Sequence, residues 1–167
     1  FPAGAVDNYL AEKHSLTTNV TTGAWRAPRS NFIAGAEQAF MDEVAEAAGK
    51  DPLEFRLELF DRAINNPVGD PENNDYDPER YAGVLKLVKE KSNWGTDTGK
   101  ARGVAAYYCH NSYVAQVLEL EDGGDMPRVD KITCAVDCGI VINPIAAKNQ
   151  IEGGMVDGIG HSTYSAL

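Results

Sequence analysis

No stretch of this chain approaches the roughly 18 consecutive apolar residues that a membrane-spanning helix needs, although 43% of its residues are hydrophobic. Positive charge is also scarce. Fifteen Lys and Arg face 25 Asp and Glu, for a formal net charge of -10. No basic cluster with interleaved aromatics offsets that excess, so a phosphate backbone would be repelled and nucleic acid is not an expected partner. Cysteine is limited to three residues, an odd number that argues against a disulfide framework. Cys134 and Cys138 lie on one face of a predicted strand at a separation of roughly 13 Å, beyond the roughly 7 Å within which Cα atoms can be bridged. Cys109 could lie near either, and a buried free thiol is the expected state. No CxxC pair marks a structural zinc site, no G-x-S-x-G turn marks a serine hydrolase, and no fixed-period repeat is visible. The acidic stretch Asn65 to Asp77 lacks the Gly and Glu spacing of an EF-hand. The chain opens at Phe1 with neither an initiator Met nor a charged-then-apolar leader, so an excised segment of a longer chain is expected.

What the chain does have is punctuation. Gly23-Ala24-Trp25-Arg26-Ala27-Pro28-Arg29-Ser30 reads as a tight loop with Ser30 placed to cap a helix. That helix would turn Phe32, Ala36, Phe40, Val44 and Ala47 inward and stop at Gly49. Asp51-Pro52 starts a second helix with Leu53, Leu57, Phe60 and Ile64 on one face, completing a helical hairpin. Residues 65–77 read as a flexible loop, and Asp77-Pro78 starts a third helix with Tyr81, Val84, Leu85 and Val88 inward. Three β-prone segments follow, Arg102 to Cys109, Tyr113 to Glu121 and Val129 to Val136, with connections short enough for antiparallel hairpins. Leu16 to Thr21 reads as a further short strand. The predicted fold is α+β in a single domain of residues 1–167: a helical hairpin plus a third helix packed on a small antiparallel sheet, followed by a Gly-rich C-terminal helix.

That last helix begins at Asn143-Pro144 and carries Gly153, Gly154, Gly158 and Gly160, each unfavourable in a helix by roughly 0.5 to 1 kcal/mol against Ala. Gly154 and Gly158 share one side. Either a neighbouring helix or strand packs there, or a flat ligand approaches. The loop around Trp25 and Arg26 is similarly open: a packed anchor and a surface cation, or backbone N–H groups and a guanidinium presented to an anion.

Four motifs in order, Trp25-Arg26-Ala27-Pro28, Ala47 to Arg56 (AAGKDPLEFR), Tyr113-Val114-Ala115-Gln116-Val117, and Ala135 to Gly139 with Asn143-Pro144 and Gln150 to Gly154, resemble the molybdopterin-binding large subunit of the molybdenum hydroxylases. Within the xanthine dehydrogenase and aldehyde oxidase family the resemblance is to the isoquinoline 1-oxidoreductase β-subunit type, and it covers nearly the whole chain. It implies a parent enzyme that hydroxylates an aldehyde or an N-heterocycle with oxygen from water, using a molybdenum-pterin cofactor. It also implies an iron–sulfur partner subunit and an electron acceptor. Arg26 would be the catalytic residue beside the molybdenum, Trp25, Arg26 and Ala27 the cofactor loop, and Gln150 with Gly153 and Gly154 the pterin contact. His110 and Tyr113 would fall in the substrate pocket, where Asn111 replaces the acidic residue many relatives carry. No side chain of this chain is expected to ligate the metal directly.

Two family motifs have no counterpart here, an upstream glycine- and glutamine-rich cofactor loop and a downstream glycine–glutamate motif whose Glu is the general base. Since such a base contributes typically 10² to 10⁴-fold, the segment alone is expected neither to retain molybdenum nor to turn over. It should also self-associate through apolar faces that its parent would cover. The resemblance leaves the bacterial periplasm and the cytoplasm both open for the parent. The alternative from a different class is a cofactor-free binding or scaffolding domain of the same fold.

Overall fold

The chain is described by a computed structural model over residues 3–23, 26–70, 72, 75–124 and 126–164. Its elements are α1 (Ser30–Ala47), α2 (Pro52–Asn65), α3 (Pro78–Ser92), β1 (Ala101–Cys109), β2 (Ser112–Glu121), β3 (Arg128–Asp137) and α4 (Pro144–Thr163). Three of the four helices start at an Asx–Pro pair. Asp51 Oδ1 accepts from the N–H groups of Leu53 and Glu54 at 2.9 and 3.0 Å, and Asp77 Oδ1 accepts from Glu79 and Arg80 at 2.9 and 3.2 Å. Asn143 Oδ1 accepts from Ala146 at 3.1 Å. In each case Pro fills a helical position whose N–H would have had no acceptor. Asp51 has a second role, since both its carboxylate oxygens receive the Trp94 indole N–H, at 3.0 and 2.9 Å.

The strands form one antiparallel sheet in the order β1-β2-β3. His110 and Asn111 alone connect β1 to β2, with φ of 50° and 57°, the left-handed pair that a two-residue hairpin with native twist requires. A register shift lies between Glu119 and Leu120. One sheet face carries Val104, Ala106, Tyr113, Ala115, Val117 and Ala135 against α2 and α3, and with Leu53, Phe60, Tyr81, Leu85 and Val88 it makes the core. Burying each of the larger of these side chains contributes about 1.5–3 kcal/mol. The predicted inward faces of α2 and α3 are observed, and the tyrosines in the core keep polar partners. Tyr81 Oη donates to the Ala106 carbonyl at 2.7 Å, and Tyr113 Oη accepts from the Asp77 N–H at 2.7 Å.

α1 departs from the sequence reading. Its N-cap is Arg29, without a side-chain cap, and Ser30 is already helical. The face turned inward is Gln38, Met41 and Ala45, while Phe32 and Phe40 are 67% and 60% exposed. The cause is Arg56 of α2, 1% exposed, which has to be solvated by protein. Its Nε donates to Gln38 Oε1 at 3.0 Å, Nη2 to the Gln38 carbonyl at 2.9 Å, and Nη1 to the Pro52 carbonyl and Asp42 Oδ1, both at 2.8 Å. Gln38 Oε1 also accepts the Ala106 N–H at 3.0 Å. One glutamine thereby ties α1, α2 and β1 together, and it rotates the Phe32–Phe40 stripe outward.

The expected strand at Leu16 to Thr21 does not form. Residues 8–23 are exposed and carry no helix or strand, because neither edge of the sheet pairs with them. The connection after α2 is pinned to the N-terminal turn: the Val68 N–H donates to the Gly4 carbonyl at 2.9 Å, and the Tyr76 hydroxyl to the Ala3 carbonyl. Pro71, Asn73 and Asn74 lie outside the described residues.

Candidate functional site

β3 delivers the chain to α4 through a fixed corner. Asp137, its last residue, takes Arg80 of α3 in a two-point pair, Nε to Oδ2 and Nη2 to Oδ1, both at 2.8 Å. The same carboxylate accepts the Gly139 N–H at 3.1 Å. Gly139 has φ of 74°, a conformation that favours glycine, and the Arg80 guanidinium lies 4.5 Å from the centre of the Tyr113 ring. The Arg80 hydrogen bonds, with the Gly139 N–H second, hold the Asp137 carboxyl down at about 2. Its folded pKa is therefore depressed below the ordinary aspartate value near 3.9. The stability it contributes is present above about pH 4 and is lost as the pH falls through about 2. Asp137→Asn is expected to flatten that acid limb of a urea-denaturation series between pH 4 and 2, and an unchanged limb would refute the assignment.

Beyond the corner, α4 buries no residue. Ile151 and Met155 look toward Ile132, Cys134 and Val136 on the second face of the sheet and leave a groove of about 520 Å³. These sides of β3 and α4 thus face each other without closing. A second cavity, of about 540 Å³, brings Arg26 to Asn149, Gln150, Gly153 and Gly154, and continues along the helix past Asp157 and His161. His161 belongs to α4, and its Nε2 stands 3.9 Å from Asp157 Oδ2.

Of the residues singled out from the sequence, Arg26, Gln150, Gly153 and Gly154 line this one cavity. Ala27 is beside Arg26 in the loop, at φ of 53°, a left-handed conformation unusual for alanine. Trp25 lies outside the described residues. His110 and Tyr113 do not line the cavity. His110 is exposed at the β1–β2 turn, and Tyr113 is 2% exposed in the core. Asn149, Asp157 and His161 were not singled out as site residues, although the helical spacing 150, 153–154, 157, 161 was open to reading.

The glycines of α4 do not serve packing among the described residues. A Cβ built at Gly153, Gly154, Gly158 or Gly160 would meet no heavy atom within 4 Å. The neighbouring helix or strand weighed for them is absent among the described residues, and the backbone is left open on the cavity side. The donors at the Arg26 end are a guanidinium and two carboxamides, a set suited to an anionic, hydrogen-bonding organic group, while the Asp157 carboxylate, His161 and Tyr164 line the far end. No group of three His, Cys, Asp or Glu side chains suited to a metal ion occurs among the described residues. The donor set therefore fits a molybdenum-pterin group held through its organic part better than a bare cation.

Residues 31–167 match the model of the molybdopterin cofactor-binding domain. The chain is 30% identical to the membrane-bound aldehyde dehydrogenase [pyrroloquinoline-quinone] of Gluconacetobacter polyoxogenes, over 95% of this chain and 21% of that protein. It is 29% identical to isoquinoline 1-oxidoreductase subunit beta of Brevundimonas diminuta, over 74% of this chain and 15% of that one. With the nicotine 6-hydroxylase large subunit of Paenarthrobacter nicotinovorans it shares 33% identity, over 50% of this chain and 11% of that protein. The chain thus spans about a fifth or less of the length of the curated relatives it matches. Together with the motifs around Arg26 and Gln150, the match over residues 31–167 makes the chain a member of the molybdopterin cofactor-binding domain family, the domain of the molybdenum hydroxylases.

Proposed function

We propose that these residues form one domain, and one wall of the cofactor site, of a larger molybdenum-dependent subunit that hydroxylates an aldehyde or an N-heterocycle with oxygen from water. The observation that carries this reading is the cavity in which Arg26, remote in sequence, meets Gln150 and the open glycine backbone of α4. Arg26 has no hydrogen-bond or ion-pair partner among the described residues, so its guanidinium is available to an anion. In the proposal Arg26 orients and neutralises the group near the reacting centre. The Gln150 carboxamide holds the pterin edge, and Gly153 and Gly154 let it approach the helix backbone. When bound, the cofactor supplies the redox chemistry, accepting the substrate's electrons for an iron–sulfur partner. His110 and Tyr113 belong to the substrate side of the proposal, His110 by its exposed position and Tyr113 by fixing the base of the same hairpin. The general base is assigned to a glutamate outside these 167 residues, so the residues alone are expected not to turn over.

A second reading is favoured by one specific observation, the quinone cofactor in the name of the aldehyde dehydrogenase relative. Elemental analysis of the full-length subunit, expressed with cofactor assembly, separates the two. Near-stoichiometric molybdenum is expected, with Arg26→Ala and Gln150→Ala each lowering retained metal about tenfold. A molybdenum-free product that carries a quinone would overturn the molybdenum reading. A product with neither would leave a binding or scaffolding domain of the same fold.

A further inference from the structure

The proposed cofactor site makes no use of the sulfur at the end of β1. Cys109 Sγ lies 2.9 Å from Nδ1 of His110, so a nucleophile and a base are within hydrogen-bond reach. His110 occupies the first position of the two-residue turn at φ of 50°. Tyr108 Oη and Asn111 Oδ1 bracket the same turn at 3.2 Å. Cys109 is half-buried and His110 is exposed, so a small molecule can reach the thiol while the ring stays attached to it.

The other two cysteines provide internal references. Cys134 is half-buried on the second face of the sheet, and burial raises its thiol pKa, which suppresses the thiolate. Cys138 is exposed just after β3, and no histidine stands beside it in the sequence. Only Cys109 combines access with a neighbouring imidazole.

We propose that Cys109 and His110 form a thiol–imidazole pair that is modified by exchange with a small, uncharged disulfide. The Cys109 proton passes to His110 Nδ1, and the thiolate sulfur attacks one sulfur of the disulfide. The new S–S bond forms as the old one breaks, and the departing thiolate takes up the proton from the imidazolium, so the products are a mixed disulfide at Cys109 and one free thiol. No electrons are gained or lost overall. This inference does not rest on the molybdenum reading, since it uses only the hairpin.

The test is the rate at which the full 167-residue chain reacts with a neutral dipyridyl disulfide, with the modified cysteine located by peptide mass spectrometry. Cys109 is expected to react roughly tenfold faster than Cys138. His110→Asn keeps a residue that tolerates the left-handed turn, and it should bring Cys109 down to the Cys138 rate while leaving Cys138 unchanged. In denaturant, where the hairpin no longer holds the pair, the advantage should vanish. Equal rates for Cys109 and Cys138 in the folded chain would overturn the proposal. So would a Cys109 rate that survives His110→Asn with the fold intact by circular dichroism.

Discussion

Replacing Arg56 by alanine is expected to lower the unfolding free energy by about 3 kcal/mol, a large share of the 5–15 kcal/mol typical of a domain. The side chain is 1% exposed and donates to Gln38 through both its carbonyl and its carboxamide, to the Pro52 carbonyl and to Asp42. Removing it leaves acceptors without a donor and a void where its stem packed, and both effects act in the same direction. Asp42→Asn is the contrast, because the Asp42 side chain is 46% exposed, and water takes over much of what Arg56 gave it. That change is expected to cost below about 1 kcal/mol. Urea denaturation of the two variants decides the matter. If Arg56→Ala falls within 1 kcal/mol of the parent chain, the polar junction of α1, α2 and β1 is not what fixes α1 in place.

The second large effect has opposite signs in two assays. Gly154→Leu should raise the helical signal of the isolated chain, since Leu is favoured over Gly by about 0.8 kcal/mol in a helix and its Cβ would meet nothing within 4 Å. In the full-length subunit the same side chain would project into the cavity shared with Arg26 and Gln150. There it is expected to reduce retained molybdenum by roughly tenfold or more. Circular dichroism reads the first change and elemental analysis the second. Full metal retention with an unaltered cavity wall would show that nothing needs to come close to α4 at Gly154.

Local signals were legible in the sequence wherever one residue decides the outcome for its neighbours. Asp51, Asp77 and Asn143 cap the helices they were expected to cap, because the capping oxygen bonds N–H groups two or three residues along. The one face predicted for Cys134 and Cys138 is observed, as both line one groove. The face of α1 could not be read in the same way. Phe32, Ala36 and Phe40 make a regular apolar stripe, yet the helix turns Gln38 inward to meet Arg56 and the Ala106 N–H. Burial of an arginine is decided by acceptors distant in the chain, which local periodicity does not report. The Leu16 to Thr21 segment failed for a related reason, since β-propensity takes effect only where a partner edge is offered. In the cavity, Gln150 stood out through resemblance alone and Arg26 through its loop as well, whereas Asp157 and His161 follow from helical spacing once Gln150 is placed.

A helix that buries no residue is stabilised by its cap and backbone bonds, and four of its positions are glycine. Amides along α4 should open to solvent independently of the β1-β2-β3 core and at lower free energy. A ligand seated against Gln150, as proposed, would therefore meet an equilibrium rather than a finished surface. Its apparent dissociation constant is the intrinsic one divided by the fraction of time that α4 is formed. On the proposed reading, affinity at this wall would be set partly by groups that never touch the ligand: the Asn143 cap and the Arg80–Asp137 corner, which hold the start of α4.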